Sequence, residues 1–240
     1  MRKILVGLIT LGALFVTSGA ALAAPSPTPG QSGSGDIVVQ TVTGPSVASQ
    51  LAKRTQSSWS WYLTRASGII AAIALVLLLL SGIGQVTGYT FRFLEPLTAW
   101  ASHRALGLTF SVAILIHMVT LLFDHFVPFS LAHLVIPWLS SYKPVTWFGF
   151  HLGSLYVALG ALAFYATLVV IVTSLFWIDK KPFVWKMTHL LSYFILVAVF
   201  IHTLNLGTDV HSGVLRWLWI LAGVLVGGAI VHRLWRAKTI

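Results

Sequence analysis

The sequence predicts an all-α, polytopic transmembrane helix bundle, and three features of its 240 residues carry that prediction. Hydrophobic residues make up 57% of the chain and charged residues only 8%, where an ordinary soluble domain carries about a quarter charged residues. The apolar residues fall in separate runs of about 20 or more, enough at ~1.5 Å per residue to cross the hydrocarbon core of a bilayer. There is no cysteine, which excludes disulfides, iron–sulfur clusters, covalently attached CxxCH haem and thiol catalysis. Nine histidines stand against five acidic residues, an unusual ratio for a chain with so little water-facing surface.

Taken in order, residues 1–24 have the plan of a secretory signal peptide. Arg2 and Lys3 precede an apolar run, and small residues follow at Ala21-Leu22-Ala23. Cleavage after Ala23 or Ala24 leaves five spans; an uncleaved first segment makes six. Residues 25–57 are rich in Ser, Gly, Pro, Thr and Gln, lack periodicity and read as a flexible extracytoplasmic tether. Residues 58–240 form the membrane domain, with spans expected at 66–88, 98–123, 146–178, 183–206 and 214–235. Between the second and third, residues 127–145 contain Pro128, Pro137 and Pro144 and are expected to form an interfacial or re-entrant loop.

Charge sets the expected orientation. With the tether outside, the cytoplasmic side carries Arg92, Arg104, Lys180, Lys181, Lys186, Arg233, Arg236 and Lys238, and the outside carries Lys53, Arg54, Arg65, Lys143 and Arg216. That bias follows the positive-inside rule, so the chain is expected in the plasma membrane with its C-terminus cytoplasmic. The net charge of +10 reflects this topology and anchoring to lipid; no nucleic-acid partner is expected, because the cations flank apolar spans.

Four histidines fall inside predicted spans: His103 and His117 in the second, His189 and His202 in the fourth. Ionisable residues at such depth usually face the bundle interior and have a partner. Both spans run in the same direction, so His103 and His189 share one level and His117 and His202 the other. Separations of 14 and 13 residues correspond to roughly 21 and 20 Å along the helices. Two neutral imidazoles facing each other in an apolar core suit the two axial positions of a haem. Helical phase places His103 and His117 about 40° apart, on one face with Gly107, Phe110, Ile114 and Leu121, and Gly107 offers close backbone approach to a porphyrin. In a straight helix His189 and His202 would stand about 140° apart, a difference that tilt, helix distortion or side-chain rotamers would have to make up. A His-lined metal transporter is the rival chemistry, but no intramembrane carboxylate, cysteine or HxxxH pair accompanies these residues.

The region from Trp61 to Asp209 resembles the ferric reductase-like transmembrane domain. That haem core is shared by ferric reductases, NADPH oxidases and the haem subunit of the periplasmic methionine sulfoxide reductase system. The resemblance lies in Arg65-Ala66-Ser67-Gly68, His103-Arg104-Ala105-Leu106-Gly107, His117, Trp185 with His189 and Tyr193, and His202 followed by Gly207 and Asp209. It implies two b-type haems, with His103 and His189 as axial ligands of the inner iron and His117 and His202 of the outer one. Arg104 is then a candidate partner for an inner haem propionate, with a positive-inside anchor as the alternative.

His125, His133 and His211 lie in or beside outer loops, where they would suit weak metal contact. His151 begins the expected third span, and His232 is expected to anchor the last one. No GxGxxG follows a predicted strand, so electrons are expected from a separate cytoplasmic flavoprotein or a membrane quinol and are passed to an extracytoplasmic acceptor. The alternative from another class is a non-catalytic membrane subunit that docks and relays for a partner redox enzyme.

Overall fold

The computed structural model describes residues 47–151 and 153–238. The signal peptide and most of the tether lie outside them. Seven α-helices are described: α1 Val47–Thr87, α2 Pro96–Leu121, α3 Leu131–Val135, α4 Leu155–Phe176, α5 Pro182–His189, α6 Leu191–Leu206 and α7 Gly213–Lys238. A 3₁₀ turn at Thr90–Arg92 follows α1, and two-residue strands β1 Thr146–Trp147 and β2 Phe150–His151 form a small antiparallel hairpin. Five apolar stretches are long enough to cross a bilayer: Ser58–Thr87, Pro96–Leu121, Leu155–Phe176, Pro182–Leu206 (α5 with α6) and Gly213–Trp235. The chain is thus an all-α, multi-pass membrane protein, as its sequence predicts.

The chain punctuates these spans with residues suited to the purpose. Gly88, at φ 79°, takes the left-handed conformation that ends α1 without a Cβ penalty. Pro96 and Pro182 stand in the first turns of α2 and α5, where the missing N–H would have had no partner anyway. Ser154 caps α4, its side chain accepting from Val157 N at 3.2 Å.

Two boundaries depart from expectation. The third span begins at Leu155, not at 146, because residues 146–151 turn back on themselves. Phe148 and Gly149 both have positive φ (48° and 80°), the geometry of a two-residue hairpin turn, and the apolar residues of that turn had extended the predicted span. The second departure is α1, which starts at Val47 and so takes residues 47–57 out of the expected flexible tether. That stretch contains Ala48, Gln50, Leu51, Ala52, Lys53 and Arg54, all good helix formers, which extend a helix once the span has nucleated it.

α1 packs along α2, α4 packs along α6, and α1 also touches α6 and α7. The α1–α2 pairing is antiparallel and in constant register. Thr64 donates to Thr120 Oγ1 at 2.7 Å, and Gln85 Nε2 reaches Ala99 O at 3.3 Å at the other end. The buried core runs through Leu75, Leu79 and Ile83 of α1, Phe110 and Ala113 of α2, Ala163 and Ala166 of α4, Ile195, Leu196 and Ala198 of α6, and Val226 of α7. Since lipid tails are as apolar as leucine, association rests on close packing and interhelical hydrogen bonds, and the alanines in this core permit close approach. Buried Thr167 and Thr173 donate back to Ala163 O and Val169 O at 2.8 Å, so neither of these two hydroxyls is stranded in lipid. α2 and α6, the helices that carry three of the four span histidines, are not among the closely packed pairs.

The connections define two ends. The short-loop end holds residues 88–95 and 177–181; the long-loop end holds residues 122–154 and 207–212. At the long-loop end, Arg65 Nε donates to Asp209 Oδ2 at 2.8 Å and its Nη2 bonds Oδ1, a two-point ion pair joining α1 to the α6–α7 connection. Lys143 Nζ donates to Asn205 O at 2.9 Å, fastening the long loop to the end of α6.

Candidate functional site

The four span histidines lie at two matched depths. His103 and His189 each stand seven residues after the proline that opens their span (96 to 103, 182 to 189), and His117 and His202 each stand four before the last helical residue (117 to 121, 202 to 206). The rings of His103 and His189 are brought together, with centroids 6.3 Å apart and planes at 43°. His117 and His202 lie within electrostatic reach of each other. The fourth span resolves its phase problem by breaking. α5 ends at His189 and α6 begins at Leu191, and Tyr193 N bonds Leu190 O at 3.1 Å, one residue closer than α-helical spacing. Each residue in such a tightened turn gains about 20° over an α-helix, so the phase of a straight helix does not carry across the junction.

Each imidazole is oriented from the neighbouring helix through Nδ1. His117 Nδ1 donates to Thr64 O at 2.9 Å, and His202 Nδ1 donates to Tyr156 O at 2.8 Å. A carbonyl only accepts, so both rings carry their proton on Nδ1 and leave Nε2 with a free lone pair. For His103 the partner is Ser81 Oγ at 2.8 Å, whose own hydrogen goes to Leu78 O at 2.8 Å. Ser81 therefore accepts, and His103 takes the same tautomer. His189 Nδ1 lies 3.5 Å from Ser174 Oγ, which also accepts from Trp185 Nε1 at 3.2 Å, while the Trp185 ring stands 5.3 Å from the imidazole. A histidine whose Nδ1 is held by a hydrogen bond presents the Nε2 lone pair in a fixed direction, as a metal-ligating imidazole does.

Glycines back three of the four rings, a feature that the sequence reading missed. A Cβ on Gly68 would meet the His117 ring at 3.2 Å, one on Gly82 the His103 ring at 3.1 Å, and one on Gly160 the His202 ring at 2.7 Å. Gly68 and Gly82 are 14 residues apart (68 to 82), the same interval as His103 and His117 on the antiparallel helix. Gly160 and Ser174 repeat it opposite His202 and His189. That echo between partner helices was the available signal. A Cβ on Gly107, the glycine expected to admit a porphyrin, would lie 3.9 Å from the Leu78 side chain of α1.

The remaining candidates are dispersed. Arg104 is exposed, its guanidinium 4.5 Å from the Trp100 ring centroid. His133 completes a capping box with Ser130 at α3, and His151 lies 3.3 Å from Thr146 Oγ1 in the hairpin. His125 and His211 are exposed. Among the described residues, no three His, Asp or Glu side chains converge to hold a metal ion, so the structure does not gather His125, His133 and His211 into a site. His232 stands 6.2 Å from the Tyr89 ring, beside a groove of about 430 Å³ between α1 and α7. Asp209, where the resembling region ends, is the partner of Arg65.

Comparison of the chain with protein-family models, with curated proteins and with solved structures found no match to any of them.

Proposed function

We propose that this chain is a membrane b-type cytochrome of the ferric reductase-like kind. In this reading His103 with His189, and His117 with His202, hold two haems through which electrons pass across the membrane one at a time. The observation that carries the reading is the facing pair His103 and His189. Their ring centroids stand 6.3 Å apart, a separation that would leave room for one metal ion held between the two imidazoles. A bare zinc or copper ion would want three or four protein ligands; only two imidazoles meet here, with no third ligand among the described residues. Two axial nitrogens suffice where a macrocycle brings the equatorial four, and this favours haem over a metal-transport pathway.

Bound there, haem iron supplies a one-electron ferric/ferrous couple, with no bond made to substrate and no atom transferred. The chain contributes orientation and shielding. Ser81, Thr64, Tyr156 and Ser174 fix the imidazoles from the neighbouring helices, and the lipid-facing spans exclude water from the path. The positive-inside bias puts the short-loop end, with Arg92, Lys180 and Lys181, in the cytoplasm of a plasma-membrane protein. On that orientation the donor is a cytoplasmic flavoprotein or a membrane quinol facing the His103–His189 level, and the acceptor lies outside facing the His117–His202 level. The chain is thus the haem component of an oxidoreductase.

Vectorial electron transfer tests this. In vesicles with dithionite trapped inside and ferricyanide outside, wild-type protein should reduce ferricyanide at least ~10-fold faster than protein-free vesicles. His202→Ala should abolish the gain. Equal rates with and without the protein overturn the reading.

A further inference from the structure

The inference rests on the haem reading above and concerns how the level of His103 and His189 is completed. We propose that Arg233 of α7 and Tyr193 of α6 together form a carboxylate site that binds a propionate of the haem held by His103 and His189, in place of Arg104.

Arg233 lies within a membrane-crossing stretch and is only partly exposed. It stands two residues before the end of that stretch, at Trp235; a guanidinium cannot shed its charge, and one only partly exposed there is best satisfied by an anion. The single ion pair among the described residues joins Arg65 to Asp209 at the other end, and no carboxylate among the described residues is paired with Arg233. Its Nη1 donates to Tyr193 OH, with Cζ 5.6 Å from the Tyr193 ring centroid. The tyrosine oxygen accepts in that bond, which leaves the tyrosine hydrogen to donate. The remaining guanidinium N–H groups and one phenolic O–H form a donor set matched to the two oxygens of a carboxylate.

The location fits as well. Tyr193 follows His189 by one helical turn, and a helical side chain leans toward the N-terminus of its helix, back toward the level of His189. Arg233 is also within electrostatic reach of His189. Arg104, by contrast, follows His103 directly but is exposed, with its guanidinium beside Trp100. A charge paired with a haem carboxylate favours the reduced iron more than an uncharged replacement does.

The test is a redox titration of the purified, haem-loaded protein, followed by absorbance. Arg233→Gln should shift the reduction equilibrium of one haem about tenfold toward the oxidised form, about 59 mV for one electron, and leave the other haem unchanged. Tyr193→Phe should give a smaller shift of the same sign, and Arg233→Lys should retain most of the wild-type potential. In protein reconstituted with haem b dimethyl ester, which has no free carboxylate, the wild type should lose its slower haem release relative to Arg233→Gln, measured as the rate of haem transfer to excess apomyoglobin. If Arg233→Gln binds no haem at that level, the lysine and phenylalanine variants carry the test. A shift produced by Arg104→Gln and by none of the Arg233 and Tyr193 variants overturns the proposal, as does a wild-type advantage in haem retention that persists with the ester. A wild-type protein without haem overturns the functional reading instead, which keeps the two failures apart.

Discussion

Adding a single methyl group at Gly160 should remove one haem and leave the other. A Cβ built there would lie 2.8 Å from Cε1 and 2.7 Å from Nδ1 of His202. Ordinary carbon contacts begin near 3.5 Å, so the methyl is about 0.7 Å too close to Cε1. Neither side yields easily, since the ring is held by Tyr156 O at 2.8 Å and the glycine sits in α4. Metal sites tolerate about 0.2 Å of error in a ligand distance, so the required movement exceeds the tolerance about threefold. The same reckoning gives a shortfall of about 0.4 Å for Gly82, whose Cβ would lie 3.1 Å from His103 Cε1, and about 0.2 Å for Gly68, at 3.3 Å from His117 Cε1. Gly227 has nothing within 4 Å and serves as the reference. Haem content by pyridine haemochrome, per mole of purified chain, should fall from two to one in Gly160→Ala, fall partially in Gly82→Ala, and change little in Gly68→Ala and Gly227→Ala. Overpacking of this kind costs about 1–3 kcal/mol, so helicity by circular dichroism should survive. Two haems retained in Gly160→Ala, or equal losses across all four variants, would refute the reasoning.

Three further outcomes follow from the same geometry. Ser81→Ala removes the acceptor that fixes the His103 tautomer and should weaken haem retention at that level by about 10- to 100-fold, measured as the rate of haem transfer to excess apomyoglobin. Asp209→Asn and Arg65→Gln each break an ion pair with side chains 18% and 31% exposed. Each should destabilise the protein in detergent by about 1–2 kcal/mol, between the surface and buried limits, and a double-mutant cycle should show the two losses to be non-additive. Because the chain has no cysteine, single cysteines report topology cleanly. In intact cells Ser212→Cys should react with a membrane-impermeant maleimide and Lys180→Cys should not, and the opposite pattern would invert the proposed direction of electron flow.

Much of the bundle was legible because membrane spans are written in long apolar runs, and the paired histidines because ionisable groups are rare within them. Three features were harder to read. The third span was overextended because Trp147, Phe148 and Phe150 are as apolar as a span, and the hairpin that holds them depends on positive φ at Phe148 and Gly149, which composition does not reveal. The fourth span was read as one helix, although a tightened turn at Leu190 breaks its phase. A junction of this kind is set by packing against α4, not by a proline or glycine at the site. Gly68, Gly82 and Gly160 were overlooked because a glycine in a span ordinarily signals close helix packing. Their role emerges only when α1 and α4 are aligned antiparallel against the histidines they back. Arg233 was counted only among the cytoplasmic cations for a similar reason: its distance along the chain from Tyr193 hides their contact.

The central claim is that four intramembrane histidines hold two haems in two levels. Quantitative haem analysis of the purified protein, combined with its low-temperature electron paramagnetic resonance spectrum, tests this most directly. The account predicts two b-type haems per chain, both low-spin and six-coordinate, with His103→Ala and His202→Ala each removing one. A haem-free chain, or haem whose amount is unaffected by either substitution, would contradict it.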